Sequence, residues 1–133
     1  MSVAPLRSRR GWQGAVLGLM GASAVALGAF GAHALRGTLD ASALAIWHTA
    51  VEYQFWHALA LLAVGVLARE GTTRTLRIAA AAFVIGVGLF CGSLYALAIG
   101  APSALGALTP LGGIALIFGW GALIIHAFRR EPR

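Results

Sequence analysis

The chain has 133 residues, 59% of them hydrophobic and only 11% charged, with a mean hydropathy of +0.84. Soluble domains carry about a quarter charged residues, and fourteen charged side chains cannot cover a soluble fold of this length, so hydrocarbon is the expected solvent for most of its surface. The net charge of +6 does not mark a nucleic-acid binder, because the arginines stand in short clusters between apolar runs and not on one aromatic-interleaved face. The single cysteine, Cys91, excludes an internal disulfide and a thiolate metal cluster, and its apolar setting makes it a packing residue.

A membrane helix needs about 20 mainly apolar residues. The first such span is expected over about residues 11–33, with no charge between Arg10 and Arg36. The RSRR start, the apolar run and AHA at 32–34 also fit a cleavable signal peptide, and the acid-free start fits an organelle transit peptide. The uncharged run is longer than the usual signal-peptide core of about 7–15 residues, which favours a basic anchor on a retained helix. Gly14 and Gly18, four apart, give this span a small-residue face suited to close helix packing.

The connection RGTLDASALAIW, residues 36–47, offers Asp40 as an N-cap, so the second helix should begin at the interface before its span over about residues 46–67. Its first half, WHTAVEYQFWHALALL, is unusually polar. His48 and Glu52 are four apart and share a face; Tyr53 and His57 share another, rotated by more than a right angle. One face is expected to look into the bundle and the other toward a groove or a second subunit. Trp47 is expected as an interface anchor and Trp56 as a packing residue.

REGTTRTLR, residues 69–77, reads as a charged turn with Gly71 as a helix stop. The third span follows over about residues 78–99 and carries a second small pair, Gly88 and Gly92. After the uncharged loop GAPSALGAL, Thr109 and Pro110 suggest an N-cap and first helical position for a fourth span over about residues 110–128. His126, beside Arg129 and Arg130, is expected to snorkel or cap the helix end.

Nine of the ten basic residues fall on one side of these spans: Arg7, Arg9 and Arg10, then Arg69, Arg74 and Arg77, then Arg129, Arg130 and Arg133, with Arg36 alone opposite. The positive-inside rule then places both termini in the cytoplasm. The expected protein is all-α: one transmembrane domain over residues 1–133, a four-helix bundle in the cytoplasmic (inner) membrane, with its arginine clusters on anionic lipid. A homo-oligomer or another membrane protein is the remaining expected partner. At about 1.5 Å per residue, His33 and His48 fall near the far interface, Glu52 about a turn deeper and His57 near the middle. His33, His48, Glu52, Tyr95 and Thr109 could therefore gather in the outer half.

Four blocks, GAFGAHAL at 28–35, EYQFWHALALL at 52–62, FCGSLYALA at 90–98 and TPLGG with GW at 109–120, resemble the YgdD/YwdK family of small bacterial membrane proteins. The resemblance spans about Gly14 to Ala127. The matching residues are Gly28, Phe30, Gly31, His33, Tyr53, Gln54, His57, Gly92, Ser93, Tyr95, Thr109, Pro110, Gly112 and Gly113. It implies a multi-pass helical protein filed among domains of unknown function, with relatives in animals, and no activity or cofactor to carry over. Cys91 stands where the family has serine and His48 is peculiar to this chain, so a mechanism resting on either would not serve the family.

Gly14, Gly18, Gly28, Gly31, Gly88, Gly92, Gly112 and Gly113 are thus expected at helix contacts, and His33, His48, Glu52, Tyr53, Gln54, His57, Tyr95 and Thr109 form the candidate polar cluster. Such polar groups act either as hydrogen-bond glue or as a site. No G-x-S-x-G, Walker or HExxH sequence is present, and no catalytic, metal or cofactor residue is expected. A non-enzymatic scaffold or accessory subunit of a membrane assembly is the leading expectation. The alternatives are a proton, metal-ion or small-solute pathway through His33, His48, Glu52 and His57, and haem or quinone binding at His57.

Overall fold

The computed structural model describes residues 8–129; Arg7, Arg130 and Arg133 lie outside them, as do the side chains of Arg9 and Arg10. Four helices account for most of the described chain: α1 (Ser8–His33), α2 (Ala41–Leu67), α3 (Arg74–Ala98) and α4 (Leu108–Arg129). Short 3-10 turns, Ala68–Glu70 and Ser103–Ala107, precede α3 and α4. All four helical stretches are long and apolar enough to cross a bilayer: Gly11–His33, Ala41–Glu70, Arg74–Ala98 and Ser103–Arg129.

The helix ends follow from local chemistry. Asp40 caps α2, its carboxylate accepting from the Ala43 N–H at 2.8 Å, so the helix does start before the apolar run. Thr73 caps α3 in the same way through the Leu76 N–H. Gly71, at φ 143°, turns the chain between them in a region closed to most side chains. α3 stops in a Schellman motif: the Gly100 N–H bonds the Leu97 carbonyl, the Ala101 N–H bonds the Ala96 carbonyl, and Gly100 has φ 93°. The expected cap at Thr109 does not form. α4 begins at Leu108, continuous with the preceding 3-10 turn, and the Thr109 hydroxyl is used elsewhere.

The bundle is open. Each helix packs chiefly on its sequence neighbour, α1 on α2, α2 on α3 and most extensively α3 on α4, while α1 and α4 share no substantial contact. The central pair buries the larger share of its length. On α2 the buried positions Trp47, Ala50, Gln54, His57, Leu61 and Val64 recur at alternating steps of three and four, the seam of a left-handed helix contact. Ala50, Leu61 and Val64 share one core cluster with Leu76, Ala79, Ala80, Phe83, Val87 and Cys91 of α3 and with Leu116 and Ala122 of α4, while Trp47 clusters with Leu35 and Ala98. Cys91 is a core residue, as its setting suggested.

Glycine makes the tightest contacts possible. A Cβ on Gly112 would lie 2.7 Å from the Phe90 Cα; one on Gly86 would meet Leu116 at 2.5 Å, and one on Gly119 would meet Phe83 at 2.6 Å. Gly31 is covered by the Trp47 ring at 2.6 Å, Gly28 lies 3.3 Å from Val51 by the same measure, and Gly113 makes only an ordinary contact with Phe90. Gly14, Gly18, Gly88 and Gly92 do not pack within the chain: an added Cβ meets nothing within 4 Å at any of them. Their four-residue spacing is real, but it falls out of phase with the buried seams.

Candidate functional site

Gln54 joins three helices. Its side-chain amide donates both hydrogens into α1, to the Met20 carbonyl at 2.9 Å and the Ser23 hydroxyl at 2.7 Å. Ser23 can accept because its own proton goes to the Leu19 carbonyl at 2.6 Å. The Gln54 oxygen accepts from the Tyr95 hydroxyl of α3 at 2.8 Å. Buried to 6% exposure, this amide spends its donors and its acceptor inside the chain. Two seam positions before Gln54, the Trp47 indole donates to the Leu27 carbonyl at 2.9 Å and sets its ring edge-on to Tyr95, centroids 4.7 Å apart.

His57 forms the second tie. Its Nδ1 lies 2.7 Å from the Tyr53 carbonyl, which can only accept, and its Nε2 lies 3.2 Å from the Trp120 indole N–H, which can only donate. These two partners assign the proton to Nδ1 and leave the ring neutral. Tyr53 stacks on the imidazole, and Phe83 and Trp120 close the box. The third tie is shorter: Ser93 donates to the Phe90 carbonyl at 3.0 Å, which makes Thr109 the donor across the 2.6 Å hydroxyl contact from α4 to α3.

The expected polar cluster therefore separates. Tyr53, Gln54, His57, Tyr95 and Thr109 all take part in ties between helices, or frame one. His33, His48 and Glu52 do not join them and are exposed on the outside of the described chain. Gln54 and Tyr95 bond each other, and Glu52 has no hydrogen bond or ion pair to any described residue. The two faces of α2 do divide as their spacing implied, Tyr53 and His57 inward and His48 and Glu52 outward.

Two tryptophans depart from the roles expected of them. Trp47 is buried at 5% exposure, whereas Trp56 is 52% exposed. Trp47 falls seven residues before Gln54, on the same side of α2, and that phase places it in the seam. His126 does not snorkel. It is buried, with Nδ1 3.1 Å from the Thr73 hydroxyl and 3.3 Å from that of Thr75. Ser23 and Trp120 were not anticipated; each is a polar group in phase with buried neighbours on its own helix. Among the described residues no three His, Cys, Asp or Glu side chains gather as metal ligands.

The profile of the family described as "Protein of unknown function (DUF423)" matches residues 27–113, from the C-terminal part of α1 to the start of α4. The chain belongs to this family. Curated DUF423-like relatives agree: it is 44% identical over 110 residues to the UPF0382 membrane protein YwdK of Bacillus subtilis, covering 80% of this chain and 87% of the relative. It is 43% identical to a UPF0382 membrane protein of Staphylococcus aureus (86% of this chain, 93% of the relative) and 40% identical to one from Haemophilus influenzae (87% and 93%). No solved structure matches. The resemblance read from four sequence blocks is thus a family relationship, and this DUF423 chain is a multi-pass membrane protein. The matched segment contains Gln54, His57, Tyr95, Thr109 and Gly112, and leaves out Ser23, Trp120 and His126.

Proposed function

We propose that the chain is a non-catalytic accessory subunit of an assembly in the cytoplasmic membrane, offering the outward face of α2 to a partner. Glu52 carries this reading. It lies about 16 Å along α2 from the helix start, on an outer face that continues through the exposed Phe55, Trp56, Leu59 and Leu62. A charged group at the bilayer centre costs about 2.5–3.5 kcal/mol, and less toward the interface. A partner that donates to Glu52 removes that cost; the chain's own residues do not.

The arginine asymmetry supports cytoplasmic termini, with Arg69, Arg74, Arg77 and Arg129 at one end of the spans and Arg36 at the other. Anionic lipid headgroups suit the arginine-rich end. Extraction of native membranes into polymer nanodiscs tests the proposal: the chain should leave the membrane with a stoichiometric partner, and a lone chain under several gentle conditions counts heavily against it.

A proton or metal-ion pathway has less support, because His57 would have to release Tyr53 or Trp120 to bind or pass a proton or metal. The same cost falls on a haem iron seeking His57 as axial ligand. Liposome flux separates the pathway reading from the subunit reading. Transport abolished by Glu52→Ala and His57→Ala would favour the pathway.

A further inference from the structure

The ends of α3 and α4 that carry Arg74 and Arg129 form a two-part recess. A small cavity of about 120 Å³ is lined by Thr73, Arg74, Thr75, His126 and Arg129. A groove of about 530 Å³ shares Arg74, Thr75 and Arg129 with it and continues between the helices over Ile78, Ile117, Phe118, Gly121 and Ile125. One end is cationic and polar; the rest is hydrocarbon-lined and runs along two membrane-spanning helices.

We propose that this recess binds one anionic glycerophospholipid, its phosphate at Arg74 and Arg129 and an acyl chain along the groove. Three observations favour that occupant. Neither arginine has an ion pair or hydrogen bond to a described residue, so both guanidinium groups are available to an anion. The recess opens at the first residue of α3, where unpaired backbone N–H groups and the helix dipole favour negative charge. His126, 5% exposed, presents Nδ1 to Thr73 and Thr75 beside the cavity, while its buried Nε2 has no partner among the described residues. Inorganic phosphate would use only the mouth. A phospholipid fills the mouth and the groove together, and the spanning helices hold the groove in hydrocarbon.

The proposal rests on the chain's membrane location and not on the subunit reading, so either can fail alone. Native mass spectrometry of the purified full chain tests it, with phosphatidylglycerol and phosphatidylcholine added in competition. One phosphatidylglycerol per chain should be retained preferentially. The double variant Arg74→Gln/Arg129→Gln should weaken retention on the order of twenty-five-fold, about fivefold for each arginine near an anionic headgroup. Arg36→Gln, on the opposite side, should leave it unchanged. Gly121→Phe should reduce retention of phosphatidylglycerol by blocking the groove; a Cβ at Gly121 meets nothing within 4 Å, so the side chain starts into open space, and an unchanged unfolding midpoint shows that the fold is kept. Equal retention of the two lipids, undiminished binding in the double variant, or undiminished binding in Gly121→Phe would each overturn the proposal.

Discussion

The Trp120 indole of α4 donates to His57 Nε2 of α2 at 3.2 Å, reaching past α3 to join helices that are not neighbours in the row. The bond does two things. It ties the outer helix to the far side of the core, and it fixes the imidazole in the form that also donates to the Tyr53 carbonyl. A histidine held in this way spends both ring nitrogens inside the chain.

Removing the indole donor should therefore destabilise the fold without emptying the site. Trp120→Phe keeps a ring against Phe83 but leaves His57 Nε2 unpaired. Hydrogen bonds between membrane helices average about 0.6 kcal/mol and reach about 1.7 kcal/mol. A double-mutant cycle with His57→Phe, read by steric-trap unfolding in bicelles, should give a coupling in that range. Nitrogen-15 spectra of labelled histidine should show the proton on Nδ1 in the wild type.

Gln54 should matter more than either of its side-chain partners. Tyr95→Phe removes one bond, to the Gln54 oxygen, whereas Gln54→Leu removes three and frees Tyr95 and Ser23 together. The expected loss is about 2 kcal/mol for Gln54→Leu and less than half of that for Tyr95→Phe. Equal unfolding free energies for the two variants would show that the hub has been misidentified.

Two glycines that the sequence places at helix contacts should behave oppositely. Gly112→Ala drives a methyl into the Phe90 backbone, which cannot rotate away, and overpacking of this kind costs about 1–3 kcal/mol. Gly88→Ala meets open space and gains helix propensity of about 0.5–1 kcal/mol. Thermal unfolding in detergent should lower the first midpoint and leave the second unchanged or raised.

Much of this was legible in the sequence. The apolar runs located four helices to within a few residues at most ends, and Asp40 capped α2 because an N-cap needs only its own next turn. What failed depended on which way a helix turns toward its neighbours. Gly88 and Gly92 satisfy a small-residue spacing, but the buried positions of α3, Leu76, Phe83, Gly86 and Val87, lie on another side. Gly86 and Gly119 carry no paired-glycine signal, and only the phase of surrounding buried residues could have found them. The same phase was available for Trp47, seven residues before Gln54. His126 was misplaced because its partners, Thr73 and Thr75, come from a different helix end brought over by the α3–α4 packing. Glu52 was rightly set apart from the Tyr53 and His57 face, since two residues five apart on a helix cannot look the same way.

The most direct test of a partner on the α2 face compares the mass of the complex released in native nanodiscs from wild type and Glu52→Leu. Leucine suits hydrocarbon, and Glu52 bonds to no described residue, so the variant's own unfolding should be unchanged. The predicted result is a complex of defined mass and composition in the wild type that falls to the single chain in Glu52→Leu. A wild type that is already a single chain, or a complex that survives the substitution, would contradict the proposal.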